Sequence, residues 1–265
     1  MAARESVTMV SLDDIAKRLD DLLRTGEIPD YPPAVNGVQV ENRNPIRKIA
    51  VAVDCSQRTI DATIELGANL LIVHHGLFWG GLQPMRGPFY ERIYRLLIND
   101  IAVYSAHLPL DAHPTVGNNV LLARELGLTP SAPFARYQNI YIGARGECDL
   151  PTVEIAARAD RFARTQGGRA VTSAVSPDRR TRRWAICTGA GASADTLREA
   201  VSTGVDTLVV GEGPHWTAVD APELGVAIVY AGHYATETLG VRALGEWLAD
   251  EFDLPWSFVE APTGL

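Results

Sequence analysis

The chain has 265 residues, 46% of them hydrophobic and 21% charged, with 24 Lys+Arg against 32 Asp+Glu for a net charge of −8. That length admits one large domain or two of about 130 residues, each able to bury its own core. The acidic balance, without a long basic run, argues against broad phosphate-backbone binding and makes nucleic acid an unlikely partner, and no uncharged apolar stretch is long enough to cross a bilayer. The cysteines Cys55, Cys148 and Cys187 are too far apart for a zinc knuckle or a disulfide framework, which suits a reducing compartment. The first ten residues, MAARESVTMV, lack the apolar run of a signal peptide, so a cytoplasmic protein is expected.

In chain order, Ser11 caps an amphipathic helix through about Leu23, with Ile15, Leu19, Leu22 and Leu23 at helical spacing. A proline-rich loop follows, and its Val38-Gln39-Val40 piece reads as a short strand. Strands are then expected at 48–54, 69–73 and 101–105, with helices at 58–66, 90–99 and 118–126. The first of these helices stops at Gly67 and the last at Gly127. The second half repeats the programme. Strands are expected at 139–144, 170–175, 183–188, 207–210 and 226–231, with helices at 153–165, 194–203 and 236–251 and a closing run at 257–260. Strands alternating with helices of this length imply βαβ units around largely parallel sheets flanked by helices, an α/β fold. The Pro-containing stretch 128–136 is the best boundary, giving copies at 1–127 and 128–265. The Arg-rich stretch 178–183 reads as a solvated turn before a strand.

An internal repeat sharpens this reading. Gly67-Ala-Asn-Leu-Leu-Ile-Val-His-His-Gly-Leu-Phe-Trp79 aligns with Gly204-Val-Asp-Thr-Leu-Val-Val-Gly-Glu-Gly-Pro-His-Trp216 at a constant offset of 137. The helix-stop glycine, the buried strand and the glycine turn recur in register. His74-His75 in the first copy stands opposite Gly211-Glu212 in the second. At an offset of 126, Val103-Tyr-Ser-Ala-His107 matches Val229-Tyr-Ala-Gly-His233, and a carboxylate follows each histidine four residues later, as Asp111 and Glu237. The fold is therefore expected to be a duplicated α/β scaffold.

In an open parallel sheet, polar residues just past the carboxyl ends of strands line the ligand crevice. His74-His75, His107 with Asp111, and His233 with Glu237 all fall at such ends. Imidazole and carboxylate are ligands for Zn, Fe, Mn and Ni, and carboxylates can bridge two ions. Five or six such groups exceed the needs of one tetrahedral ion, so a dinuclear centre fits the count. Singly, each has a plainer explanation: a His-His pair can be structural, a His-x-x-x-Asp unit can cap the next helix (where Asn118 and Asn119 are alternative caps), and a proton relay needs no metal.

Other candidates rank below these. Asp54 is either a partner of a ligand or, preferred here, the N-cap of the following helix. Glu212 and His215 face the site by the logic of the repeat, and His113 lies at its rim. Phe78, Trp79 and Trp216 either wall a pocket or pack between the repeats. Gly189-Ala-Gly-Ala-Ser193 resembles a phosphate-binding turn but lacks dinucleotide or Walker spacing. No nucleophile elbow or catalytic-cysteine setting is present.

The strings Asn36-Gly-Val-Gln-Val40, Leu71-Ile-Val-His-His-Gly76, Ala106-His-Leu-Pro-Leu-Asp111 and Ala231-Gly-His-Tyr-Ala-Thr-Glu237 resemble the NIF-three-like dinuclear metal-centre proteins, whose members are often labelled type 2 GTP cyclohydrolase homologues. The resemblance spans about Ser11 to Glu260. It implies two divalent ions per chain, with His75 and Asp111 on one, His74 and His233 on the other, and Glu237 bridging both. His107 would sit close by as a proton-handling, catalytic group. It further implies two intertwined α/β copies with mixed, mostly parallel sheets, assembled as a toroidal homohexamer. With no room for an inserted domain between Leu126 and Asn139, the chain is similar to the short form. Gly76-Leu-Phe-Trp79 departs from the Pro-containing sequence more usual after His-His, which touches the pocket wall and not the ligands.

The expected activity is metal-dependent hydrolysis of an unidentified small molecule, using a metal-bridging water with His107 as acid or base. The alternative is a non-catalytic metal-binding scaffold, regulator or metal-delivery protein that acts through partners.

Overall fold

The computed structural model describes residues 9–265; the reading of the amino terminus rests largely on residues 1–8, which lie outside the described residues. The chain forms two compact units. The first comprises the described residues through Glu27, then 31–107 and 242–261, and the second residues 28–30, 108–241 and 262–265. The first unit opens with α1 (Leu12–Leu23), β1 (Gly37–Val40), β2 (Ile49–Asp54), α2 (Gln57–Glu65), β3 (Leu70–His75), α3 (Gly87–Ile98) and β4 (Ala102–Ser105). The second carries α4 (Leu108–Asp111), α5 (Asn118–Glu125), β5 (Ala132–Tyr137), β6 (Ile140–Pro151), α6 (Thr152–Thr165), β7 (Val171–Ser173), β8 (Arg180–Cys187), α7 (Ala194–Thr203), β9 (Thr207–Val210), α8 (Thr217–Glu223), β10 (Ala227–Tyr230) and α9 (His233–Thr236). Along α10 (Thr238–Phe252) the chain re-enters the first unit at Arg242 and ends there in β11 (Trp256–Phe258).

In the first unit the sheet order is β1-β4-β3-β2-β11, parallel except for the β1/β4 pair. β2 and β3 read Ile-Ala-Val-Ala-Val-Asp and Leu-Leu-Ile-Val-His-His, with every residue before the last one buried. Continuous apolar runs of this kind belong to strands covered on both faces. Leu71 and Val73 of β3 join Ile60, Phe89 and Leu96 of the flanking helices in one core. Ser11 begins α1 through a reciprocal cap: its hydroxyl accepts the Asp14 N–H, and the Asp14 carboxylate accepts the Ser11 N–H.

The sheet of the second unit runs β5-β6-β8-β9-β10-β7. Only the β8/β9 and β9/β10 pairs are parallel. Two cores flank it, one built around Trp184, Ile186 and Phe162 and the other around Phe134, Leu197 and Leu208.

The duplication extends to the backbone. The order β1-β4-β3-β2 corresponds to β7-β10-β9-β8, with an antiparallel outer pair followed by two parallel pairs in each. The helix that joins the two inner parallel strands starts the same way in both units. Ser56 and Thr59 cap α2, and Ser193 and Thr196 cap α7, each pair with reciprocal side chain–backbone bonds and each at the offset of 137. Thr59 donates to the Asp54 carbonyl and Thr196 to the Gly191 carbonyl, while Cys55 N–H donates to His75 O and Ala192 N–H to Glu212 O. All of these pairs obey the same offset.

Several elements differ from expectation. The stretch 128–136 is largely β5, which pairs with β6 in an antiparallel hairpin. The compact units accordingly divide the chain at 107/108 and 241/242 and not at 127/128. Arg180–Arg183 lie within β8, where Arg180 pairs with Asp149 and Arg183 with Glu147 across to β6, so they are cross-strand ion pairs and not a turn. α8 was unanticipated, because Thr217–Glu223 has little apolar periodicity and holds Pro222. Among the described residues no helix is long and apolar enough to cross a membrane.

Candidate metal centre

In the first unit β3 runs on through His74 and His75, two residues further than expected, so both rings are carried by ordered strand backbone. Successive strand residues point to opposite faces, and the two rings are held by different partners. His74 is fully buried, and its Nδ1 is 2.8 Å from the Ala106 carbonyl beyond β4. His75 places its Nδ1 2.9 Å from Oδ1 of Asp54, its register partner on β2. Asp54 is therefore not the cap of α2. Ser56 fills that role, because the chain needs two more residues to turn from strand to helix, and this frees the Asp54 carboxylate to face the neighbouring strand.

His107 follows β4, and its backbone N–H donates to Asn36 Oδ1 at 2.7 Å. One ring nitrogen from each of His74, His75 and His107 lies within 4.8 Å of the others, close enough to serve one ion. The ring centroids are 4.8–5.6 Å apart.

In the second unit α9 starts at His233 and ends beside Glu237, one turn later on the same face. His233 Nδ1 is 2.7 Å from Glu212 Oε1, and its Nε2 is 3.2 Å from Glu237 Oε2. Burial opposes a charged imidazole here, but hydrogen bonds and charge from Glu237 and Glu212 outweigh it and raise His233 to about 9. Two carboxylates thus demand a positive charge between them, which a proton or a metal ion can supply. Asp111 closes α4, is buried, and accepts from Asn118 Nδ2 at 2.9 Å. Its carboxylate lies within 4.8 Å of that of Glu237.

Asn118 also accepts the Gly240 N–H, while Asn119 accepts the Thr188 N–H and donates to the Ile142 carbonyl. These two asparagines therefore brace the surroundings of Asp111 and do not cap α5, which Gly117 begins.

The glycine loop at 189–193 has its own role. A Cβ on Gly189 (φ +61°) would come within 2.1 Å of Glu237 Oε1, so glycine lets the main chain approach the carboxylate. Neither the need for a bare backbone at Gly189 nor the asparagine brace was recognised in the sequence. For the glycine the available signal was its place after β8, the strand equivalent to β2. Cys187 is buried near Asp111 and Glu237, and burial pushes its thiol up; Cys55 is likewise pushed up to about 12. Both thiols stay protonated at neutral pH and are poor ligands. His113 accepts the Thr115 and Val116 N–H groups within its own turn, and His215 is exposed beside Arg169 and Tyr230.

The donor set fits divalent metal ions. His74 and His75 each have Nδ1 against an oxygen acceptor, which fixes the tautomer and makes Nε2 the basic nitrogen, the arrangement typical of metal-bound histidines, while His233 has a carboxylate at each ring nitrogen. Within the second unit, Asp111 and Glu237 add carboxylate oxygens to His233, anionic donors suited to the same class of ion.

A family model described as Duf34/NIF3 (NGG1p interacting factor 3) matches residues 10–263. The chain is 43% identical to a Deinococcus radiodurans protein called a GTP cyclohydrolase 1 type 2 homolog, over 97% of this chain and 95% of the relative. It is 37% identical to a protein of the same name from Escherichia coli K12, over 94% and 97% of the two chains. Among solved structures it is similar to protein ybgI, described as of unknown function, with a TM-score of 0.87 at 36% identity over 97% of this chain and all of that one. A protein of Thermus thermophilus gives a TM-score of 0.83 at 33% identity, over 97% of this chain and all of that one.

Proposed function

We propose, for a chain that belongs to the Duf34/NIF3 family, that it is a metal-dependent hydrolase of the type 2 GTP cyclohydrolase-like kind. Two divalent ions would be held per chain by His74, His75, Asp111, His233 and Glu237. The observation that carries the reading is the seating of the three ligand histidines, each with Nδ1 on an oxygen acceptor. When bound, the ions would supply Lewis-acid activation of water and of the substrate.

The chain's own residues do the remaining work. Asp54 and Glu212 orient two of the imidazoles. Asn118 orients Asp111. The bare backbone at Gly189 lets Glu237 sit against the main chain. His107, held through its backbone by Asn36 and lying among the other two histidines, is placed to give or take a proton during hydrolysis. A cytoplasmic homohexamer belongs to the same proposal.

The reading is tested by elemental analysis of the purified protein, followed by turnover assays on phosphoester, nucleotide and amide substrates with Mn, Zn or Fe supplied. Two ions per chain are expected. His107→Gln should lower kcat by about 10²–10⁴ with metal content unchanged. A protein with one ion per chain, or no turnover of any substrate class together with a His74→Ala variant indistinguishable in cells, would overturn it.

A further inference from the structure

Beside the three histidines of the first unit stand two aromatic side chains with no part in metal binding. Trp79 remains 36% exposed and Tyr31 48%. The Trp79 ring meets His107 edge-on at 4.7 Å between centroids, and His75 at 5.8 Å. Tyr31 lies 6.2 Å from His107 and 6.5 Å from Trp79, inclined to it by 56°. Phe78, the neighbour of Trp79, instead turns into the core against Phe89. The chain therefore buries one of two adjacent large aromatics and leaves the other at the histidines.

The placement is built by one side chain. Gln39 Nε2 donates to the Ala34 and Val35 carbonyls at 3.0 and 2.9 Å, at the end of the short turn that Tyr31 begins. Its Oε1 accepts the Leu77 N–H at 2.7 Å, two residues before Trp79. Gly76 makes room for this amide, since a Cβ there would lie 2.2 Å from Gln39 Nε2. Three residues back, Asn36 accepts the His107 N–H. The segment Asn36-Gly-Val-Gln39 thus ties Tyr31, Trp79 and His107 to one another.

We infer that Tyr31 and Trp79 are specificity-determining residues that receive a planar aromatic ring of the substrate beside His107, with Gln39 as their positioning residue. Two rings meeting at 56° form a wedge and not a parallel slot. A flat ring can lie on one face while its edge meets the other, the two arrangements that aromatic quadrupoles favour. An aliphatic substrate of equal size would gain only the area term. The inference deepens the hydrolase reading and rests on it for the term substrate, yet it concerns binding and is testable without turnover.

The test is calorimetric titration of the metal-loaded full chain with guanosine and nicotinamide as ring probes and ribose 5-phosphate as a ring-free control. Trp79→Ala and Tyr31→Ala should each weaken the ring probes by about tenfold or more, the scale of base-on-aromatic stacking, with metal content and ribose 5-phosphate binding unaltered. Trp79→Phe should recover most of the loss. Gln39→Leu should raise KM or Kd for ring compounds more than it lowers kcat. Saturable ring binding without hydrolysis supports the inference and counts against the hydrolase reading. Failure of both ring probes to bind overturns the inference, as does equal ring affinity in wild type and Trp79→Ala. A Trp79→Ala protein that binds rings normally but dissociates in light scattering also overturns it, in favour of a contact between copies.

Discussion

The two units share a backbone plan and divide the chemistry unequally. At corresponding positions one carries His75 and the other Glu212, one Asp54 and the other Gly191, while His107 and Asp111 answer to His233 and Glu237. The first unit gathers three imidazoles with Asp54 at one of them. The second places one imidazole between two carboxylates, so His233 holds a proton up to about 9. In both units an imidazole Nδ1 meets a carboxylate, but the acid comes from β2 in the first and from the turn after β9 in the second. The duplication has kept the hydrogen-bonded frame and exchanged which strand end supplies base and which supplies acid.

The sharpest way to break this comparison is to force the units to match. Gly191 stands where the first unit has Asp54, and a Cβ there would lie 2.0 Å from the Cys187 carbonyl oxygen. Main chain cannot yield as a side-chain tip can. Gly191→Asp should therefore cost about 3 kcal/mol or more, read as a lower denaturant midpoint. A midpoint equal to wild type would mean that the units are interchangeable at this position.

Smaller effects are expected from removing the acids that orient the ligands. Asp54→Ala and Glu212→Ala should each weaken metal binding by about 10–100-fold, measured by competition with a chromogenic chelator. Glu212→Ala should fall at the upper end, because Glu212 both orients His233 and adds negative charge near a bound cation. Equal affinity in all three proteins would show that the two carboxylates act on the histidines only in the metal-free state. Gly189→Ala belongs in the same range, since its Cβ must displace the Glu237 carboxylate.

Much of this frame was visible in the residues, and the exceptions have physical causes. Glycine stops, apolar strands and the two His-x-x-x-acid units announce themselves by spacing, and residues 10–263 carry the family. Asp54 misled, because an acid before a helix is a common cap and only the register of β2 against β3 shows it facing His75. β5 was hidden in a stretch beginning Leu128-Thr-Pro-Ser, whose proline reads as a break; the strand starts just after it and finds its partner in β6. The hairpin also explains why the units do not divide at 127. Gly189 and the asparagine brace were missed because closeness of a backbone to a carboxylate, or of one amide to two distant main-chain groups, leaves no periodic trace in a sequence.

The mildest test asks whether the frame itself is truly repeated. Ser56 and Ser193 accept the N–H groups of Thr59 and Thr196 at 3.2 and 3.1 Å, and the threonine hydroxyls return bonds to the serine N–H groups at 2.9 Å in both units. Loss of a serine cap costs about 1 kcal/mol, so Ser56→Ala and Ser193→Ala should each lower unfolding stability by that amount. The double variant should lose the sum, since the two caps share no partner. If the units unfold separately, each single variant will shift only one of two transitions in a denaturant titration, and which one moves identifies the unit. If they unfold together, both shift the same transition. In either case the two caps should weigh alike, because an equal backbone role at equal spacing is what the duplication asserts; a difference between them larger than the whole effect of one would break it.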